Sequence, residues 1–316
     1  MSLVTYDLMG NKRDKVQIAI DRFRAFEPPD GYYLAFSGGK DSQCIYHLAQ
    51  MAGVKFDAHY RVTSVDPPEL VQFIKREYPD VSFDIPHDKD GKPISMWNLI
   101  PKKLMPPTRL ARYCCAVLKE TGGTGRVVVT GVRHAESPRR KEMHGVVTMQ
   151  NSKVAKVASE NGANFVETVR GGVILNLDND AERRTVEQCF RTNKTMLNPI
   201  VDWEEEDVWE FLNDVAKVPH CELYDQGFKR LGCIGCPMAN NRAEELERYP
   251  KYKAAYLRAF KRMLDERDRR GRRTDAVYFT SPEAVMSWYL EQIPKGVAIN
   301  GQMTIEELMD ASEVES

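Results

Sequence analysis

The chain has 316 residues, of which 42% are apolar and 29% charged, with a formal net charge of −1. This is a globular composition with room for one large domain or two small ones, and it excludes a global electrostatic pull toward nucleic acid or acidic membranes. The first residues lack the basic flank and apolar core of a secretion signal, and no apolar run approaches the roughly 18 residues of a membrane span. The expectation is therefore a cytoplasmic protein without membrane contact. In that compartment its seven cysteines are free thiols, metal ligands or catalysts rather than a disulfide framework.

Residues 12–26 carry a helical pattern, with Val16, Ile20 and Phe23 on one face, which Pro28-Pro29-Asp30-Gly31 breaks. The apolar run Tyr32-Tyr33-Leu34-Ala35-Phe36 reads as a strand and ends in Ser37-Gly38-Gly39-Lys40-Asp41-Ser42. Ile45, Leu48, Ala49 and Ala52 then recur at helical spacing. A strand, a glycine turn and a helix N-terminus form an anion site, because free N–H groups and the helix dipole face a backbone that phosphate can approach. Ser37 and Ser42 add hydroxyls and Lys40 adds a cation. The plainer alternative is a Gly-Gly turn; the two serines, the lysine and the aspartate favour phosphate.

Residues 56–62 and 81–85 read as further strands, separated by a helix that starts at Asp66-Pro67-Pro68-Glu69. Alternating strands and helices imply a mainly parallel sheet whose ligands bind beyond the carboxyl ends of the strands. Residues 86–112 read as loop, with five prolines, and residues 113–119, around Cys114-Cys115, as a short helix. Residues 126–130 read as a buried strand, followed at once by the basic segment Gly131-Val132-Arg133-His134-Ala135-Glu136-Ser137-Pro138-Arg139-Arg140-Lys141. Charge runs are usually solvated, but a strand's carboxyl end is a place to meet phosphate or sulfate. Residues 142–195 yield little beyond a strand at 173–177 and a polar turn at 178–182. Asp202 is the expected N-cap of an acidic-nosed helix with Val208, Phe211 and Leu212 inward, and Trp203 and Trp209 read as packing residues. After Cys233-Ile234-Gly235-Cys236, helices are expected around 243–249 and 252–270, with a basic run through Arg272 and Arg273. Ser281 caps another, Thr304 the last, and a disordered acidic tail closes the chain.

Cys114, Cys115, Cys233 and Cys236 form two pairs of thiols that can hold zinc or an iron–sulfur cluster, with a redox pair and two buried thiols as the alternative. Cys44, Cys189 and Cys221 read as structural.

The hexapeptide at 37–42 resembles the pyrophosphate loop of the PP-loop ATP pyrophosphatases, and differs from both the Walker A and the dinucleotide fingerprints. The chain as a whole, from about residue 32 to 237, resembles the phosphoadenosine phosphosulfate and adenylyl sulfate reductase family of iron–sulfur type. The resemblance is carried by Cys114-Cys115, Lys119, Gly131, Arg133, Ser137 and Arg140. It continues through Asn198-Pro199, Trp203, Asp207-Val208-Trp209, Val218-Pro219, Asp225, Gly227, Gly232, Cys233 and Cys236. It implies an adenine nucleotide α-hydrolase-like, doubly wound α/β domain over residues 1–240, a helical extension over 241–316, and one [4Fe–4S] cluster on the four paired cysteines. It also implies ATP with Mg²⁺ on Ser37, Gly38, Gly39, Lys40, Asp41 and Ser42, and catalytic roles for Lys40, Asp41, Arg133, Arg140 and Lys119.

Two departures set the expected chemistry. Residues 237–316 contain no cysteine, whereas the family's reductases attack sulfur with one in a C-terminal Glu-Cys-Gly-Leu-His; and the phosphate loop, commonly degraded in them, is intact here. Both point to ATP cleavage coupled to sulfur transfer, as in relatives of DNA phosphorothioation and tRNA thiolation. A sulfonucleotide reductase and a nucleotide-binding regulatory subunit are the alternatives. Expected partners are an adenine nucleotide, a sulfur donor such as a cysteine desulfurase or a thiol reductant, and a nucleic-acid acceptor.

Overall fold

The computed structural model describes residues 3–6, 9–151, 153–169, 171–189, 191, 194–271 and 279–291. Arg272, Arg273, Thr304 and the acidic tail lie outside the described residues. A hairpin of β1 (Val4–Tyr6) and β2 (Lys12–Asp14) precedes α1 (Lys15–Ala25). The helix starts three residues later than the periodicity suggests because 12–14 pair as a strand and Asp14 caps the helix, its carboxylate accepting from the Val16 and Gln17 amides.

The repeating part follows as β3 (Tyr32–Phe36), α2 (Lys40–Ala52), β4 (Phe56–Arg61), α3 (Pro68–Glu77) and β5 (Ser82–Asp84). Next come α4 (Met96–Lys103), a π-helical turn (Cys115–Lys119) and β6 (Val127–Val129). Residues 138–197 supply α5 (Pro138–Met143), β7 (Val147–Gln150), α6 (Lys153–Glu160), β8 (Val166–Glu167), β9 (Val173–Leu175), α7 (Asp180–Cys189) and β10 (Lys194–Leu197). The remainder is helical: α8 (Glu205–Glu210), α9 (Arg242–Arg248), α10 (Pro250–Arg269) and α11 (Pro282–Glu291). Among the described residues no helix is long and apolar enough to cross a membrane.

The sheet of eight runs β5-β4-β3-β6-β10-β7-β9-β8. Pairing is parallel from β5 through β10 and antiparallel from there to β8. The fold is thus the expected α/β class with a doubly wound, mainly parallel sheet. From β3 the chain steps outward to β4 and β5, then returns to lay β6 on the other side of β3. That reversal makes a crevice beyond the carboxyl ends of β3 and β6, and the segments that leave those ends are 37–39 and 130–137.

The chain folds as two compact units, and their borders do not follow a boundary at residue 240. One unit comprises 1–61, 68–84 and 121–231; the other comprises 62–67, 85–120 and 232–316. The first holds the whole sheet, with Phe23, Leu34, Ile45 and Leu48 in its core. The second is helical. Trp97 of α4 packs edge-on against Tyr256 of α10 at 5.2 Å between ring centres, and Tyr256 and Tyr289 lie 5.6 Å apart. Ile100, Leu118, Ile234 and Phe260 complete that core.

Several local expectations are corrected. Residues 86–112 contain α4, whose Ser95–Asn98 capping box outweighs the helix-breaking Pro101. Residues 142–195 contain three strands, the start of β10 and two helices, and the polar stretch at 178–182 opens α7 rather than forming only a turn. Glu204, not Asp202, caps α8, its amide accepted by Asp207; Asp202 instead receives two hydrogen bonds from Arg22 at 2.7 and 3.1 Å. The short helix at Cys115–Lys119 is π-helical, closed by the Glu120 amide on the Cys115 carbonyl at 2.9 Å. Ser281 caps α11 as expected, accepting from the Ala284 amide.

Candidate functional site

The loop between β3 and α2 follows from its glycines. Gly38 has φ +72°, and a Cβ there would stand 2.7 Å from Leu70 and Ile74; only glycine fits. Gly39 caps α2 in extended conformation. Ser37 Oγ donates to Ser42 Oγ at 3.1 Å, and Ser42 Oγ donates to the Gly39 carbonyl at 2.8 Å, so both serine hydroxyls brace the turn. The Lys40 amide at the head of α2 donates to the Tyr224 hydroxyl at 2.9 Å.

A pocket of about 600 Å³ opens at this point, lined among others by Lys40, Asp41, Arg133, Glu205, Tyr224 and Arg230. Lys40 and Arg133 are buried cations, with side chains 6% and 3% exposed. Lys40 Nζ lies 3.3 Å from Glu205 Oε1, 3.7 Å from Asp41 Oδ2 and 3.3 Å from the Lys229 carbonyl oxygen. Arg133 donates from Nε to Asp41 Oδ1 at 2.6 Å and from Nη2 to Glu205 Oε2 at 2.7 Å. Burial opposes ionisation of Glu205, but Arg133 and Lys40 hold its carboxyl below the usual carboxylate range. Gly131 is required as well, since a Cβ there would stand 2.9 Å from the Asp41 carbonyl oxygen.

Ser137 caps α5 by accepting from the Arg140 amide. Arg140 pairs with Glu136. Burial pulls the Arg140 guanidinium below its ordinary value; Glu136 opposes this and Arg230 reinforces it. Of the residues expected to act on a nucleotide, Lys40, Asp41 and Arg133 therefore meet in one pocket, and Arg140 is electrostatically linked to Asp41 and Arg133. Lys119 does not belong to this unit. Sequence reasoning overlooked Glu205 and Tyr224. The acidic run at 204–207 reads as dipole complement, and nothing in the spacing brings Glu205 to Lys40. Trp209, read as packing, lines the pocket and stands edge-on to Tyr224 at 5.1 Å.

The second unit holds all four paired cysteines and Lys119. Arg112 Nη2 donates to Cys115 Sγ at 3.4 Å, and Thr63 Oγ1 is 3.4 Å from Cys233 Sγ. The turn 233–236 is pinned by the Ile234 amide on the Val65 carbonyl, the Gly235 amide on Glu245 and the Tyr256 hydroxyl on the Ile234 carbonyl. The adjacent Cys114 thiol, then Arg112 and Lys119, pull the Cys115 thiol below its ordinary value, against its burial. Cys114 is pushed up by Cys115 and by burial, and senses Cys233 and Cys236 as well. Burial raises the Cys233 thiol, against the pull of Lys119; Lys119 is itself pushed up by its pairing with Cys233 and by Asp66, against its own burial. Among the described residues no three His, Cys, Asp or Glu side chains converge in a ready metal cage.

A family model described as phosphoadenosine phosphosulfate reductase domain matches residues 31–239. An uncharacterized protein of Methanocaldococcus jannaschii is 28% identical over 247 residues, which cover 74% of this chain and 48% of that one. An adenosine 5'-phosphosulfate reductase of Staphylococcus epidermidis is 22% identical over 200 residues, 60% of each chain. The chain thus spans only about half to three-fifths of the length of these relatives. Among solved structures, the phosphoadenylyl-sulfate reductase of Candida auris in a phosphate complex matches with a TM-score of 0.40 and 15% identity, over 69% of this chain and 87% of that one. The FMN adenylyltransferase of Candida glabrata in complex with ATP matches with a TM-score of 0.39 and 17% identity, over 69% and 60%. The family match takes in the β3–α2 loop, the basic segment after β6 and both cysteine pairs, and on that span the chain belongs to the phosphoadenosine phosphosulfate reductase domain family.

Proposed function

We propose that this member of an adenine-nucleotide-utilising family cleaves ATP between its α and β phosphates and passes the activated adenylyl group to an acceptor, as a step of sulfur transfer. The observation that carries the reading is the complete Ser37-Gly38-Gly39-Lys40-Asp41-Ser42 turn at the crevice of the sheet, opening on a pocket with two buried cations. The α2 N-terminus and Lys40 would hold the β and γ phosphates. An acceptor nucleophile would attack the α-phosphorus, and the bond to the bridging oxygen would break with its electron pair leaving on pyrophosphate. Charge accumulates on that leaving group, where Lys40 would stabilise it, and Arg140 would offset charge on the α-phosphate. Arg133 fixes Asp41 and, before a nucleotide enters, is also paired with Glu205. Mg²⁺ bound with the nucleotide, near Asp41, would supply further neutralisation of the phosphates.

The donor chemistry of the second unit fits a [4Fe–4S] cluster. Cys114, Cys115, Cys233 and Cys236 would hold it, with Arg112 and Lys119 offsetting the negative charge of four thiolates. When bound, such a cluster supplies sulfur ligation and one-electron redox chemistry; Lys119 would remain the cation that faces it.

A sulfonucleotide reductase needs a thiolate to attack sulfur and a second thiol to release sulfite. Outside the two pairs, Cys44, Cys189 and Cys221 are all buried, and burial pushes each thiol up. That disfavours an internal nucleophile in this chain. The test is incubation with ATP labelled at the α-phosphate, Mg²⁺, and tRNA or fragmented DNA as acceptor, with products resolved by thin-layer chromatography. AMP or an adenylylated acceptor with pyrophosphate is expected. ADP with phosphate, or sulfite from adenylyl sulfate and reduced thioredoxin, would overturn the reading, and ATP binding without any product would make the chain a regulatory subunit.

A further inference from the structure

The pocket contains its own anion. Lys40 and Arg133, both buried, are bridged by the two oxygens of the Glu205 carboxylate, at 3.3 and 2.7 Å. Asp41 contacts the same two cations from the other side. Two positive and two negative side chains make a neutral quartet, so an entering phosphate gains little attraction unless one carboxylate leaves. Asp41 lies in the first turn of α2 with its side chain 24% exposed, braced by Arg133. Glu205 opens the six-residue α8 and its side chain is 49% exposed. Turning Glu205 into water breaks nothing in the backbone, because the helix is capped by Glu204 and Asp207.

We propose that the Glu205 carboxylate competes with phosphate for the seat between Lys40 and Arg133, and thereby restricts this pocket to ligands that carry a pyrophosphate group. The inference rests on the reading of the pocket as a phosphate site. A lone phosphate that enters the seat exchanges one anion for another. A pyrophosphate reaches the seat and the amides at the head of α2 together, so its second phosphate adds binding that the exchange does not cancel. The Lys40 amide is itself taken by the neutral Tyr224 hydroxyl, which a phosphate oxygen replaces with a charge-assisted bond. Glu205 is thus a specificity-determining residue that sets how much negative charge a ligand must bring.

The test compares wild-type protein with Glu205→Gln, by calorimetric titration with inorganic phosphate and with pyrophosphate in Mg²⁺-free buffer containing a chelator. If the seat is open for about a tenth of the time, removing the competing charge tightens phosphate binding about tenfold. Pyrophosphate, which uses the same seat, tightens by the same factor, so its advantage is kept while phosphate alone rises to an affinity at which it too occupies the pocket. A folding defect cannot produce tighter binding. Wild-type binding of pyrophosphate together with equal or weaker binding of both ligands by Glu205→Gln would overturn the proposal and leave the phosphate site standing. Failure of both folded proteins to bind pyrophosphate would remove the phosphate site, and this inference with it.

Discussion

His144 ends α5, in the stretch that also carries Arg140. Burial lowers its imidazole pKa from the ordinary 6.5, and Arg140 and His134 lower it further. His134 Nε2, 2.7 Å from the His144 carbonyl oxygen, donates to it, while the buried Nδ1 of His144 has no partner among the described residues. Well above pH 6.5 the ring is neutral in both folded and unfolded chains and contributes nothing to pH dependence. As pH falls through 6.5 the unfolded chain takes up a proton that the folded site refuses, so stability is lost until the lowered folded value is passed. The melting temperature of His144→Asn should therefore converge upward on, or exceed, that of wild type between pH 7 and pH 5. A gap between the two proteins that is constant across this range would show that His144 does not titrate in this way. At this scale the sequence names charges but not their partners. Arg133 was legible as part of a basic loop, yet its guanidinium turns inward to Asp41 and Glu205.

The β3–α2 turn is where chain geometry and chemistry coincide. Replacing Gly38 with alanine puts a Cβ against Leu70 and Ile74 of α3 and forces a left-handed φ on a residue that avoids it. Gly38→Ala should destabilise the protein by roughly 1–3 kcal/mol in urea unfolding and weaken ATP binding; an unchanged midpoint would mean the turn relaxes without strain. This element was legible because an apolar run, a glycine pair and a helical repeat follow one another without interruption. The parallel strands β3 and β6 were legible as apolar runs between turn residues, and β4 by its alternation. Of the antiparallel half only β9 was legible, as a short apolar run after Gly171-Gly172; β8, with two residues, is too short for alternation to register. In α4 a proline inside the helix masks a capping box that only the folded backbone displays.

On the scale of the whole chain, the linear order of motifs misleads about where units end. A cut at residue 240 separates the cysteines from the C-terminal helices, whereas segments 62–67, 85–120 and 232–316 form one unit. The reason is physical: Leu118 and Ile234, each next to the cysteines, bury their side chains among residues of α4, α10 and α11. Pattern reading along the chain cannot see such a shared core. Protein purified without oxygen should then be brown and hold about four irons and acid-labile sulfide per chain, measured by colorimetric assay. Stoichiometric zinc without sulfide in such a preparation would sink the cluster assignment. Cys115→Ser and Cys233→Ser should each lower the iron content while the sheet unit keeps its fold by circular dichroism.

The three-segment make-up of the helical unit also has a consequence for biosynthesis. The chain passes between its two units five times, and the sheet unit is complete at residue 231 while the helical unit still lacks its last segment. Cys115 leaves the ribosome 118 residues ahead of Cys233. At about 5–20 residues per second that interval is roughly 6–24 seconds, during which the first thiol pair is exposed without the second. If the four thiols hold one cluster, as proposed, it is completed only after the turn at 233–236 has emerged, and until then Cys114 and Cys115 are without their partner thiols.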